Sequence, residues 1–181
     1  MSFYEEQVQS ELVYNGLIVD IKRDKVKIQT EKLVSREVVI HSGGVGVVAL
    51  TEDNKVLMVR QYRYPIGEET LEIPAGKLSV GENPLECAKR ELSEETGAAA
   101  SRYTSLGYVY PSPGYSTEVL HLYLAQDLFF GDMHLDEDEL LSVESVDIDE
   151  LLNHVMSGKI KDAKTVIGVL KTKELLVQIK V

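Results

Sequence analysis

The sequence predicts an α+β sandwich with a small β unit ahead of the main domain. Three observations predict it. Short strand patterns recur before residue 43 with no helical period among them. Val45-Gly46-Val47-Val48-Ala49-Leu50 is then a continuous apolar run, as expected of a strand buried on both faces. Later strands and helices follow without the regular alternation of a doubly wound sheet.

In the first part, Leu12-Val13-Tyr14 and Leu17-Ile18-Val19-Asp20-Ile21 flank Asn15-Gly16, which predicts a tight hairpin. Lys25-Val26-Lys27-Ile28 predicts another strand, and Val38-Val39-Ile40 a further one. His41-Ser42-Gly43-Gly44 punctuates the chain. The boundary is placed there, with residues 1–43 as the β unit and 44–181 as the main domain.

Val56-Leu57-Met58-Val59 returns from the turn Thr51-Glu52-Asp53-Asn54. The clearest helix spans 84–96: Asn83 is placed to cap it, Pro84 falls at its first position and Glu86 three after the cap. Gly97 is placed to end it in a left-handed conformation. Leu85, Ala88 and Leu92 share one face, which should be buried. Residues 106–110 and 119–124 read as strands around the loop Pro111-Ser112-Pro113-Gly114, and 143–146 as another. Helices over 149–156 and 162–175 close the chain.

Composition narrows the function. With 181 residues, 44% hydrophobic and 27% charged, the chain suits one domain or a domain with a small appendage. No apolar run approaches the ~20 residues that cross a bilayer. The start shows no secretory signal, and the single cysteine, Cys87, can form neither an internal disulfide nor a Cys/His metal cluster. A reducing cytoplasm is the expected setting. A net charge of -11 repels nucleic acid and anionic membranes. A small anionic ligand would need local cations, from arginines or from bound metal.

The helix over 84–96 works against itself. Glu91, Glu94 and Glu95 are spaced i, i+3 and i+4 on one side. Like charges at that spacing destabilise a helix by roughly 0.2–0.5 kcal/mol per pair. They also occupy the closing turns, where the macrodipole disfavours each acid by about 0.3–1 kcal/mol. Such local conflicts mark functional sites. Clustered carboxylates bind hard divalent ions, and Mg²⁺ adds substrate phosphate oxygens to its shell. Arg90, four after Glu86 and four before Glu94, is placed to brace the row. Taken alone, E-x-x-E-E on a helix is more often a solvated acidic face.

The surroundings decide between these. From Gly76 the chain reads GKLSVGENPLECAKRELSEETGA, with Gly76, Glu82, Arg90, Glu91, Leu92, Glu94, Glu95, Gly97 and Ala98 at the spacings of the Nudix box. The chain resembles the Nudix hydrolases; Ala98, smaller than the usual aliphatic, is the one departure. The resemblance implies a Nudix-type α/β/α sandwich with a mixed sheet and an N-terminal antiparallel β unit. It further implies Mg²⁺- or Mn²⁺-dependent hydrolysis of a nucleoside diphosphate linked to another group. Glu91, Glu94 and Glu95 become metal-ligand candidates, Glu94 and Glu95 also catalytic ones, and the Ala75 carbonyl a backbone ligand.

Tyr110-Pro111-Ser112-Pro113-Gly114-Tyr115-Ser116-Thr117-Glu118 resembles the ADP-ribose pyrophosphatase subfamily, with Pro113 sixteen residues after Gly97. Arg36-Glu37, Arg60-Gln61-Tyr62-Arg63, Glu72-Ile73-Pro74-Ala75-Gly76, Leu135-Asp136-Glu137-Asp138-Glu139 and Asp162-Ala163-Lys164-Thr165 agree with it. That resemblance implies that ADP-ribose is cleaved to AMP and ribose 5-phosphate. Arg36 and Glu37 would contact the adenine end and Arg63 the diphosphate, where a planar guanidinium donates paired hydrogen bonds. Leu78, Tyr115 and Glu118 are further substrate-contact candidates. Glu137 aligns with the base that takes the proton of the attacking water, with Glu118 as rival, and Glu139 with an added metal contact. Other readings stay open: the arginines as surface ion-pair partners, Leu78 as core, Tyr115 as a packing aromatic, and the acidic run as a solvated loop. Cys87 reads as a packing residue.

The subfamily resemblance also implies a homodimer whose N-terminal β unit is exchanged, so that Arg36 and Glu37 act in the partner's pocket. Two other functions remain: hydrolysis of another nucleoside diphosphate sugar or related diphosphate, and a nucleotide-sugar sensor without catalysis.

Overall fold

A computed structural model describes residues 3–133 and 140–179. The chain divides into two units, one of Met1–Gly43 with Tyr110–Val119, the other of Gly44–Val109 with Leu120–Val181.

The smaller unit is built on three antiparallel strands: β1 (Glu6–Asn15), β2 (Asp20–Lys27) and β3 (Leu33–Ile40). The expected tight hairpin at Asn15-Gly16 is a wider loop. Asn15 pairs with Asp20, and the Asp20 carboxylate accepts from both the Asn15 side chain (2.7 Å) and the Gly16 amide (3.3 Å). This draws the loop closed at Asp20 and leaves Leu17 outside the strand and 97% exposed. The two strand patterns read between Leu17 and Ile28 are therefore one strand, β2. The segment Tyr110–Val119 joins this unit through β3, where the Val39 amide donates to Tyr115 O (2.8 Å) and the Thr117 amide to Val39 O (2.9 Å).

The larger unit is a mixed sheet in the order β10-β5-β4-β9-β8, with β6 on β5 and β7 on β4. Its strands are β4 (Gly44–Leu50), β5 (Lys55–Arg63), β6 (Glu68–Glu72), β7 (Ala75–Lys77), β8 (Ala98–Val109), β9 (Leu120–Phe130) and β10 (Leu141–Asp147). Among the described strands of this sheet, β4 and β9 alone pair in parallel. The helices are α1 (Pro84–Thr96), α2 (Ile148–Met156) and α3 (Ala163–Ile179).

β4 is buried at every residue because helices cover both faces. Val45, Val47 and Ala49 pack with Cys87, Ala88 and Leu92 of α1. Val48 and Leu50 pack with Leu151 of α2 and Val169 of α3. Alternation along one strand thus feeds two cores. α3 approaches closely: a Cβ on Gly168 would meet Val48 Cγ2 at 2.9 Å.

Two strands escape the sequence expectation, and several others run past it, β8 furthest. β6 and β7 carry no apolar alternation. β8 begins at Ala98, far ahead of the apolar stretch that identified it, because Ala and Ser there are weak strand formers held by pairing with β9. Among the described residues no helix is long and apolar enough to cross a membrane.

Candidate active site

α1 carries the site, and its ends are as the sequence predicts. The Asn83 side chain accepts from the Leu85 amide (2.9 Å). Gly97 adopts φ 67° and its amide donates to Ser93 O (2.9 Å). Glu86 is the exception at the start: it pairs with Lys89 (2.8 Å). The buried face is not only Ala88 and Leu92; it includes Cys87, Glu91 and Glu95, while Leu85 is half-buried.

Two carboxylates of the row are therefore inside the fold, Glu91 at 8% and Glu95 at 2% exposure. Burying a carboxylate is expensive unless it is paired or holds a cation. Glu95 Oε2 accepts from the Ala75 amide (2.9 Å), which ties the end of α1 to β7. Glu91 packs over Gly76, where a Cβ would stand 1.8 Å from its Cδ. Only glycine leaves that space.

Arg90 holds the row from the side. Its Nη1 lies 2.7 Å from Glu91 Oε1 and donates to Glu94 Oε2 (2.8 Å). Its Nε and Nη2 donate to Glu82 at 3.1 and 3.2 Å. The brace thus reaches Glu82 and not Glu86, because Glu82 sits in the loop folded back over α1. Glu82 also accepts from the Ser79 amide (2.9 Å). The Arg90 guanidinium, followed by that amide, lowers the Glu82 carboxyl to about 2. Glu82 in turn raises Arg90. Cys87 is buried, and burial pushes its thiol up to about 12, which suits packing and not nucleophilic attack.

The acidic trio splits two and one. Glu94 is more exposed than its neighbours and points to Arg90. Among the described residues no three His, Cys, Asp or Glu side chains form a cluster able to hold an ion. The donor chemistry nevertheless fits a hard divalent cation: two buried carboxylates, a third beside them, and the Gly76 cradle that admits Glu91.

Arg63, at the end of β5, belongs to the same unit. Its Nε and Nη2 donate to Glu72 at 2.8 and 2.7 Å, and both Asp162 and Glu95 act on its charge. Leu78 is partly buried against the α1 core. Arg36, Glu37, Tyr115 and Glu118 belong to the smaller unit. Arg36 forks onto Glu5 (3.0 and 2.5 Å). Glu37 faces Arg23 across the β2–β3 ladder. The Tyr115 side chain is exposed, and Glu118 lies 3.8 Å from His41. Glu137 and Glu139 lie outside the described residues.

Sequence reasoning missed a second ionic cluster. Glu72, 2% exposed, accepts from Arg63, from Thr70 (2.6 Å) and from Lys164. Burial opposes ionisation, but Arg63, Lys164 and Thr70 together lower the Glu72 carboxyl to about 2. The available signal was Asp162-Ala163-Lys164-Thr165, an acid three residues ahead of a hydroxyl at a helix start.

A NUDIX domain matches residues 41–166. An "ADP-ribose pyrophosphatase" of Bacillus subtilis is 38% identical over 179 residues, covering 97% of each chain. A "Methanol dehydrogenase activator" of Bacillus methanolicus is 40% identical, covering 92% of this chain and 91% of its own. A "GDP-mannose pyrophosphatase" of Yersinia enterocolitica is 32% identical over 143 residues, 72% of this chain and 73% of its own. A solved structure described as an ADP compounds hydrolase superposes with a TM-score of 0.85 over 96% of this chain and 95% of its own, at 21% identity, and shows the same fold. With Arg90, Glu91, Glu94 and Glu95 of the box spaced along α1, Gly76 bare beneath Glu91 and a family match over residues 41–166, the chain belongs to the NUDIX family and is a Nudix diphosphatase.

Proposed function

We propose that the chain hydrolyses the diphosphate bond of ADP-ribose, with a divalent metal, Mg²⁺ or Mn²⁺, to give AMP and ribose 5-phosphate. One observation carries the reading. The larger unit buries two carboxylates, Glu91 and Glu95, at the negative end of α1, and Arg63 lies close enough to feel the charge of Glu95. Carboxylates for a metal and a guanidinium for phosphate are what a diphosphate needs. The relatives named for ADP-ribose hydrolysis favour that substrate.

Glu91 and Glu95 would hold the metal, with Glu94 and the Ala75 carbonyl as further ligands and Glu139 as an added one. When bound, the ion neutralises charge on the diphosphate oxygens and lowers the pKa of a water. Arg63 binds the diphosphate through its planar fork. Arg90 keeps Glu91 and Glu94 in place. Arg36, Glu37, Tyr115 and Glu118 recognise the nucleoside and ribose, and Leu78 makes an apolar or backbone contact. A carboxylate accepts the water proton, which the resemblance assigns to Glu137. In this reading the enzyme is a cytoplasmic homodimer that exchanges its N-terminal β unit; sedimentation of an active monomer would remove the exchange.

A second reading, hydrolysis of another nucleoside diphosphate sugar, is favoured by the relative named GDP-mannose pyrophosphatase. A panel of such sugars with Mg²⁺, scored for nucleoside monophosphate release in heavy-oxygen water, separates the two. Fast turnover of GDP-mannose beside negligible turnover of ADP-ribose would reverse the order. No turnover of any diphosphate would leave only a sensor.

A further inference from the structure

Residues 72–75 are held at each position by other parts of the larger unit. The Glu72 carboxylate takes Arg63, Thr70 and Lys164. The Ile73 amide donates to Thr165 Oγ1 (2.9 Å), Pro74 O accepts from the Val47 amide (2.8 Å), and the Ala75 amide donates to Glu95. Lys164 and Thr165 come from the first turn of α3. There Asp162 accepts from Lys164 Nζ (3.0 Å), the Thr165 amide (3.0 Å) and Thr165 Oγ1 (2.6 Å).

Stability alone does not explain this arrangement. A buried ion pair can often be replaced by apolar residues without loss, and Lys164 is 8% exposed. The arrangement does explain the posture of Arg63. Its Nε and Nη2 edge is committed to Glu72, which removes the rotamer freedom of a long side chain. Lys164 shares the same carboxylate, so Arg63 does not carry the whole countercharge of Glu72.

We propose that Lys164 is a positioning residue for Arg63: acting through Glu72, it fixes the guanidinium so that its outer edge meets the substrate diphosphate. The proposal rests on the reading that Arg63 binds the diphosphate. Lys164 itself touches no substrate.

The test is a double-mutant cycle of Lys164→Met and Arg63→Ala. It reads kcat and KM for ADP-ribose with Mg²⁺, and Kd for α,β-methylene ADP-ribose by calorimetry. Loss of a positioned charge-assisted contact should raise KM and Kd about tenfold in K164M, with kcat changed less than about threefold. R63A should lose at least as much, and the double variant should match R63A alone. Lys164→Arg should recover most of the affinity. Equal weakening by K164M in both Arg63 backgrounds would reveal a merely structural lysine and overturn the proposal. Weakened binding in R63A beside wild-type affinity in K164M would overturn it while leaving the Arg63 reading intact. Wild-type affinity in R63A would overturn both. If K164M loses the wild-type melting transition, Glu72→Gln, which keeps the shape of the side chain, is put through the same cycle with the same outcomes.

Discussion

Glu91 lies across the bare Cα of Gly76, so close that a methyl group on the glycine would stand 1.8 Å from the carboxylate carbon. The two residues are fifteen apart in sequence, and one has no side chain so that the other can be placed. Gly76→Ala should therefore act as a displacement of Glu91. Turnover should fall by about a hundredfold or more, in line with a misplaced catalytic group. Wild-type rates for this variant would mean that the position of Glu91 is immaterial.

Glu95→Gln keeps an oxygen to accept the Ala75 amide and removes only the charge. The fold should persist, shown by a melting temperature within a few degrees of wild type, while most turnover is lost. A fully active E95Q would dismiss Glu95 as a ligand.

Metal should stabilise the protein. Saturating Mg²⁺ at about a hundred times its Kd raises unfolding free energy by roughly 2.7 kcal/mol, visible as a higher melting temperature that chelator reverses. The paired variant Glu91→Gln, Glu95→Gln should show no such rise. A metal-induced rise that survives in that variant would place the ion elsewhere.

Glu72 makes stability depend on pH. Its folded pKa, about 2, lies below its ordinary value of 4.5, so its contribution is complete above the ordinary value and fades as pH falls toward 2. The amount is on the order of 3 kcal/mol. Urea unfolding between pH 5 and pH 2.5, both roughly spanning that window, should show a steep decline that Glu72→Gln flattens. Parallel slopes for the two proteins would refute the assignment.

Gly97 combines φ 67° with a Cβ direction that meets Gly131 O at 2.8 Å. Gly97→Ala should destabilise by roughly 1–2 kcal/mol from the left-handed backbone alone, with more from the clash. A melting temperature equal to wild type would show that the helix end can rearrange.

Much of this was legible in the chain. The limits of α1 followed from Asn83, Pro84 and Gly97, whose effects are local. The conflict of Glu91, Glu94 and Glu95 with their own helix was visible because charge spacing needs no tertiary knowledge. What the spacing could not convey was which acids turn inward. Burial of Glu91 and Glu95 depends on Gly76 and Ala75, which arrive from another strand. For the same reason helical spacing sets Arg90 beside Glu86 and Glu94, while the fold adds Glu82 from outside the helix. Glu72 and Lys164, 92 residues apart, met only in the fold. The tight turn that Asn15-Gly16 predicts widens because the Asp20 carboxylate accepts from Asn15 and Gly16 instead.

The β3 strand and the segment Tyr110–Val119 belong to one unit although some seventy residues separate them, and they are laced by the amides of Val39 and Thr117 and by the Thr117 hydroxyl accepting from the His41 amide (3.0 Å). On the proposed role of Arg36, Glu37, Tyr115 and Glu118 in holding the nucleoside, a backbone change in 36–41 would be transmitted to 115–118 through these bonds. Grafting one segment without the other would leave the amides of Val39 and Thr117 without these partners.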